Sequence, residues 1–253
     1  MIPLKDNVGA GGRPLVTATL IVACVLVFLW QVTLSGERGS AGERNGDVVA
    51  GEFSERDEFA ETYGATPAQI SEKVGDDEFE ELPWWTAPFT AIPVSPDLLH
   101  LAVNMLFLLI FGRTLEARLG RIRFVLLAAA GAAAAISAQA LIDPESQLLV
   151  IGASAMLAGV LGAYAALYPR AGVVTVSVIP GFGTVLEVPA LLTIAAWLAI
   201  GLIPAVGPVV DGDLLIGTGL EYAGYATALL LGALVAWPLS RGRPTRDATL
   251  ASA

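Results

Sequence analysis

Six long apolar segments constrain the fold of this chain more than any other feature of its sequence. They cover residues 15–34, 97–112, 124–142, 150–168, 186–203 and 219–239. A helix needs roughly 17–25 apolar residues to cross a bilayer, and the segments approach or reach that length, although the second and fourth are short. Of the 253 residues, 55% are hydrophobic and only 15% are charged, whereas charged residues make up about a quarter of a soluble domain. The sequence therefore predicts an all-α membrane protein, a bundle of six transmembrane helices.

The distribution of lysine and arginine predicts the orientation of this bundle. If both termini lie on the same side, that side carries ten basic residues, and the other side carries four, all in one long loop. Cytoplasmic loops are enriched in basic residues, so we expect a multi-pass protein of the cell membrane with both termini in the cytoplasm. The expected parts are a cytoplasmic N-terminus (1–14), a membrane domain (15–239) and a basic cytoplasmic tail (240–253).

The loop between the first two apolar segments, residues 35–96, is expected to face outwards. Fourteen acidic residues lie between Glu37 and Glu81, and they account for most of the acidity behind the net charge of −10. An aromatic stretch, Pro83-Trp84-Trp85-Thr86-Ala87-Pro88-Phe89, follows them, and such rings settle at the level of lipid headgroups. The loop is interpreted either as a solvated, partly disordered segment or as a lid or docking surface.

Polar side chains interrupt three of the apolar segments at similar depths. His100 and Asn104 are four residues apart, and they therefore share one face of a helix. Ser154 lies in a Gly-rich stretch that opens a helix, where free backbone N–H groups can stabilise an oxyanion. Glu221 lies near the outer end of the sixth segment. Together they predict an outward-opening polar cavity. The alternatives are that Ser154 bonds to a carbonyl group of its own helix or packs against a neighbouring helix, that His100 and Asn104 hydrogen-bond across helices, and that Glu221 lies among headgroups.

Small residues in the fourth and sixth segments predict how these two helices pack. Gly159 and Gly162 lie in the fourth segment, and Gly224 and Ala228 lie in the sixth. Membrane helices approach closely where such residues meet, so we expect these two segments to be in direct contact.

The sequence gives no support to several functional classes. It contains no nucleotide-binding motif, and its single histidine and single cysteine, Cys24, lie in different segments and cannot form a zinc site. No internal repeat of the kind found in many transporters is evident. We therefore expect no cofactor and no nucleic-acid or nucleotide partner, and a lipid bilayer as the environment.

Three motifs make the chain resemble the rhomboid family of intramembrane serine proteases over nearly its whole length. Leu99-His100-Leu101-Ala102-Val103-Asn104 resembles the family's H-x-x-x-N helix, and Phe111-Gly112-Arg113-Thr114-Leu115-Glu116 resembles the turn after it. Gly152-Ala153-Ser154-Ala155 resembles the G-x-S-G nucleophile motif. The resemblance implies that Ser154 is the nucleophile of a serine-type endopeptidase, that His100 and Asn104 help to stabilise the oxyanion, and that substrates or clients are transmembrane helices.

The chain departs from this family pattern at the position of the base. The family's base histidine begins an H-x-G-G-x-x-x-G pattern on the sixth helix, and the best register here places Glu221 at that position. His100 is the only histidine, so no imidazole remains for the base if His100 serves the oxyanion, and Ala155 replaces the glycine after the nucleophile. We therefore expect a pseudoprotease that binds transmembrane segments of clients. The alternative is an active protease whose unconventional base is Glu221 or Tyr222.

Overall fold

The computed structural model describes residues 2–8, 13–34, 43–44, 47–48, 59, 62–72, 86–146, 152–179, 182–201 and 212–241. The helices are α1 (Leu15–Thr33), α2 (Pro67–Glu72), α3 (Ala87–Thr90), α4 (Leu98–Phe107), α5 (Arg113–Leu119), α6 (Arg121–Ile142), α7 (Gly152–Leu167), α8 (Ala190–Gly201) and α9 (Gly212–Ser240). A π-helical turn, Leu108–Gly112, joins α4 to α5. The strands are β1 (Ile2–Asp6), β2 (Glu43–Arg44), β3 (Asp47–Val48), β4 (Gly172–Ile179) and β5 (Phe182–Pro189). Most of the acidic loop, the predicted headgroup pair Trp84 and Trp85, and the tail beyond residue 241 lie outside the described residues.

The described part of the chain is mostly helical, and four stretches are long and apolar enough to cross a membrane. These are Leu15–Thr33, Leu98–Leu119, Arg121–Ile142 and Leu220–Ser240. Two shorter apolar helices, α7 and α8, lie within the fourth and fifth apolar segments of the sequence. Large apolar side chains are exposed on the long helices, for example Leu26 on α1 and Leu234 on α9. Such exposure is expected of surfaces that face lipid.

The short helix α7 lies at the centre of the bundle. All of its residues from Gly152 to Tyr164 are buried, and it packs against both α6 and α9. A Cβ atom added at Gly162 would collide with the Leu229 carbonyl group of α9, and one added at Gly232 would collide with the Gly159 carbonyl group of α7. The predicted contact between the fourth and sixth segments is confirmed, and it depends on backbones that touch without intervening side chains.

A three-stranded antiparallel sheet shows that the all-α expectation is wrong in one respect. The strand order is β1-β4-β5, with Val176 opposite Val185 and Pro3 opposite Thr175. The expected N-terminal tail thus contains a strand, and the fifth apolar segment is a strand as far as Pro189, so its helix begins only at Ala190. Residues 173–178 are rich in β-branched side chains, which favour a strand.

Asp6 connects this sheet to the helical bundle. Its Oδ2 atom accepts hydrogen bonds from Thr114 Oγ1 at 2.6 Å and from the Tyr164 hydroxyl group at 2.9 Å. All three side chains are buried, and buried polar groups are costly unless they are paired. The contact therefore holds β1 against α5 and α7.

Glu116 of α5 holds the beginning of α1. Its carboxylate accepts hydrogen bonds from the Val16 and Thr17 backbone N–H groups at 2.9 and 2.8 Å, and from Thr17 Oγ1 at 2.8 Å. The first N–H groups of a helix have no partner within the helix, and a negative charge there is also favoured by the helix dipole. Glu116 thus caps α1 from a neighbouring helix.

We expect Glu116→Gln to lower the free energy of unfolding by about 2 kcal/mol, because an amide accepts through one oxygen only and loses the charge. The matched control is Glu145→Gln, which removes the same charge from an exposed turn and should change stability little. A thiol-reactive dye that reports exposure of Cys24, the only cysteine and 1% exposed, measures unfolding directly. Equal melting temperatures for the two variants would contradict the capping role.

Candidate active site

Helix α4 carries His100 and Asn104 on one face, as their spacing predicts. The helix begins after Asp97, whose side-chain oxygen accepts a hydrogen bond from the His100 backbone N–H group at 2.8 Å. Aspartate is one of the preferred residues at a helix N-terminus because its oxygen satisfies such a free N–H group. Asp97 therefore determines where α4 starts and hence the height at which His100 lies.

Ser154 lies in the first turn of α7, close to both of these side chains. His100 Nε2 lies 2.8 Å from Ser154 Oγ, and Asn104 Nδ2 donates a hydrogen bond to the same atom at 2.9 Å. Gly152 makes this position possible, because a Cβ atom there would lie 2.5 Å from the Ile92 backbone nitrogen. The structure thus brings together three of the four residues predicted for the site.

Trp197 of α8 completes the surroundings of Asn104. Its indole N–H group donates a hydrogen bond to Asn104 Oδ1 at 3.2 Å. With its oxygen occupied in this way, the Asn104 amide directs its nitrogen towards Ser154, an orientation that follows from the hydrogen-bond network. Trp197 was not predicted as a site residue. Its signal in the sequence is weak: a single tryptophan within an apolar helix, whose N–H group needs a partner when it is buried.

Tyr225 is the residue of α9 that reaches Ser154. Its hydroxyl group lies close enough to Ser154 to interact with it, and its ring lies 5.9 Å from that of Trp197. Tyr225 is buried. Tyr225 was not among the residues predicted for the site.

The two residues of α9 that were predicted as candidate bases, Glu221 and Tyr222, do not bond to Ser154 in the described part of the chain. The Tyr222 hydroxyl group donates a hydrogen bond to the Leu198 carbonyl oxygen at 2.5 Å, so it is occupied away from Ser154. Glu221 is partly buried, and within the described part of the chain its carboxylate makes no hydrogen bond to Ser154. If the family pattern is instead aligned on Tyr225, its last glycine falls on Gly232, which is the glycine that touches α7.

The arrangement has most of the groups that acyl transfer requires. Ser154 supplies a hydroxyl group, Asn104 supplies an amide donor, and the Ser154 backbone N–H group lies in the first turn of a helix and has no intrahelical acceptor. His100 Nε2 can accept the hydroxyl proton or donate to the hydroxyl oxygen, depending on the tautomer. Ser154 is only 2% exposed, so a peptide bond reaches it only after neighbouring segments move.

The fold and the cluster define a multi-pass membrane protein with a Ser–His–Asn group between its helices. The rhomboid domain family model matches residues 83–242, which is more than half of the chain. The chain therefore belongs to the rhomboid family. No curated protein and no solved structure matches it.

Proposed function

We propose that this rhomboid-family protein binds transmembrane helices of client proteins and has lost most or all protease activity. In this proposal α7 and α8 cross the membrane together with the four longer helices. Both termini lie on the cytoplasmic side of the cell membrane, because that side then carries most of the basic residues. Residues 15–239 form the membrane domain, residues 35–96 form its outward-facing acidic loop, and residues 1–14 and 240–253 are cytoplasmic.

One observation carries this proposal: α9 reaches Ser154 with Tyr225 rather than with a histidine. A phenol holds its proton at neutral pH and is therefore a poor base for a serine hydroxyl group. His100 lies on α4 beside Asn104, where the family resemblance assigns it to the oxyanion. Loss of a base of this kind costs on the order of 10⁴–10⁶ in rate.

Client binding is supported by the polar groups that remain between the helices. Hydrogen-bonding side chains within an apolar bundle pair with polar groups of neighbouring helices, and small residues allow backbones to approach. Helix α8, which carries Trp197, also exposes Leu191 and Leu192 in its first turn, and an apolar client helix can pack on these side chains.

The test is cleavage and capture of a single-span substrate by the purified full-length chain in lipid nanodiscs. We expect wild type and Ser154→Ala to retain the substrate equally in a pull-down and to leave it intact, because binding does not require the hydroxyl group. Cleavage by wild type that disappears in Ser154→Ala would overturn the loss of activity. Failure of both proteins to retain any substrate would overturn client binding.

A second candidate function, an active serine endopeptidase, is favoured by the 2.8 Å distance between His100 Nε2 and Ser154 Oγ. This distance is that of a nucleophile and its base. In this case His100 takes the hydroxyl proton as Oγ attacks the carbonyl carbon, and Asn104 with the Ser154 N–H group stabilises the oxyanion. His100→Gln would then abolish cleavage, whereas Glu221→Gln and Tyr225→Phe would retain it.

A further inference from the structure

A cavity of about 680 Å³ lies where α1 begins and where α5 turns into α6. Four arginines line it: Arg13 precedes α1, Arg113 begins α5, and Arg121 and Arg123 lie in the first turn of α6. Glu116 is the acidic residue of the lining, and its carboxylate is occupied by the hydrogen bonds to the beginning of α1. The cavity therefore carries a net positive charge and has a volume typical of ligand sites.

The arginines of this cavity differ in how they are held. Arg123 Nη1 donates to the Leu239 and Arg241 carbonyl oxygens at 2.7 and 3.1 Å, which fixes its side chain at the end of α9. Arg113 Nε is buried and has no hydrogen-bond partner among the described residues. A buried donor without a partner is costly, and guanidinium groups pair well with the oxygens of a phosphate. An oxyanion in the cavity would pair with the guanidinium groups that line it.

We propose that this cavity binds a phosphate group, supplied by an anionic phospholipid of the adjacent leaflet. The cavity lies at the ends of three stretches long enough to cross a membrane, Leu15–Thr33, Leu98–Leu119 and Arg121–Ile142, and hence at the depth of headgroups. Ile122 lines the cavity and is 77% exposed, and Val125 and Leu126 on the next turn of α6 are also exposed. These side chains give the acyl chains of a bound lipid an apolar surface, which a free phosphate ion does not need.

This site is independent of the chemistry at Ser154, and it holds whether or not the protein cleaves substrates. In the proposed topology it faces the cytoplasm, where the leaflet carries more anionic lipid. Each basic residue near such a surface strengthens binding roughly fivefold. Removal of two arginines from the cavity is thus expected to weaken binding on the order of thirtyfold.

The experiment titrates phosphatidylglycerol into the full-length chain in detergent micelles and follows thermal unfolding through Cys24. We expect phosphatidylglycerol to raise the melting temperature more than phosphatidylcholine, because only the former is anionic. Arg13→Gln with Arg121→Gln, both on exposed side chains, should shift the titration midpoint on the order of thirtyfold without loss of folding. Arg113→Gln should also shift the titration midpoint. Native mass spectrometry should show fewer retained lipids in Arg113→Gln and in the double variant than in wild type.

Two further arms of this experiment distinguish the source of the phosphate and the specificity of the site. Arg170→Gln removes an exposed arginine outside the cavity and should leave the midpoint unchanged; an equal shift would overturn the site in favour of general charge attraction. Glycerol 3-phosphate should not stabilise the protein at the concentrations at which the lipid does; equal stabilisation would assign the site to a soluble phosphate. Equal effects of the two phospholipids on wild type would overturn the assignment to an anionic lipid, because phosphatidylcholine also carries a phosphate group but has no net charge.

Discussion

Tyr225→His is expected to increase cleavage of a single-span substrate by about 10²-fold or more over wild type, because it places an imidazole at the residue of α9 that lies near Ser154. The new base would remove the hydroxyl proton, and His100 and Asn104 would remain free for the oxyanion. Trp197 already packs beside this position, and an imidazole ring can occupy the same face. The gain is expected at the lower end of the range for a base, since an imidazole is shorter than a phenol and small misplacements cost rate steeply.

The control for this gain of activity is Glu221→His, which places the same side chain one helical turn earlier on α9. The sequence register predicts that Glu221→His restores the pair of serine and histidine, whereas the contacts of Tyr225 predict that it does not. The measurement is the initial rate of cleavage of one fluorescent substrate by both variants, each also with Ser154→Ala. Activity in Glu221→His alone would show that Glu221 occupies the position of the family's base histidine. Tyr225 would then have no role in catalysis.

The sequence predicted the long apolar helices and three residues of the cluster at Ser154 because these depend on local pattern. Apolar segments of sufficient length predict helices wherever a bilayer is the solvent. His100 and Asn104 are one turn apart on one helix, and Ser154 lies in the first turn of another, close to a glycine. The family motifs were therefore sufficient to predict that these three residues share one site. None of these inferences required knowledge of how two distant helices meet.

The identity of the α9 residue at Ser154 could not be read in the same way. The register that starts at Glu221 matches the family's glycines at Gly224, and the register that starts at Tyr225 matches at Gly232. Because each register matches one glycine of the family pattern, the sequence does not decide between them. A helix that is apolar on all sides also does not indicate which face is buried. The decision comes from the contact at Gly232, where α9 touches the Gly159 carbonyl group of α7.

The strands and Trp197 were missed for related reasons. Residues 173–178 are rich in β-branched side chains, which indicates a strand. Residues 186–189, however, continue directly into the apolar helix α8, so the sequence alone suggests one spanning segment. The role of Trp197 depends on its hydrogen bond to Asn104, which joins residues 93 positions apart. Such a contact exists only after the bundle has formed.

Gly162→Ala is expected to cause the largest loss of stability, about 3 kcal/mol or more. The added Cβ atom would collide with the carbonyl oxygen, carbonyl carbon and Cα atom of Leu229, and backbone atoms in a packed helix cannot rotate away as a flexible side chain would. The helices α7 and α9 must therefore separate by about 1 Å. The expected fall in melting temperature, followed through Cys24, is on the order of 10 °C.

This substitution also connects packing to the site, because Ser154 and Tyr225 lie on the same two helices. Combined with Tyr225→His, Gly162→Ala should remove most of the gained cleavage even below the melting temperature, since separation of α7 from α9 moves the new imidazole away from Ser154. Ala226→Val adds apolar volume on the exposed face of α9 and should change neither stability nor cleavage. If Gly162→Ala melts like Ala226→Val, the two backbones are not in contact at Leu229, and the assignment of Tyr225 to the site loses its support.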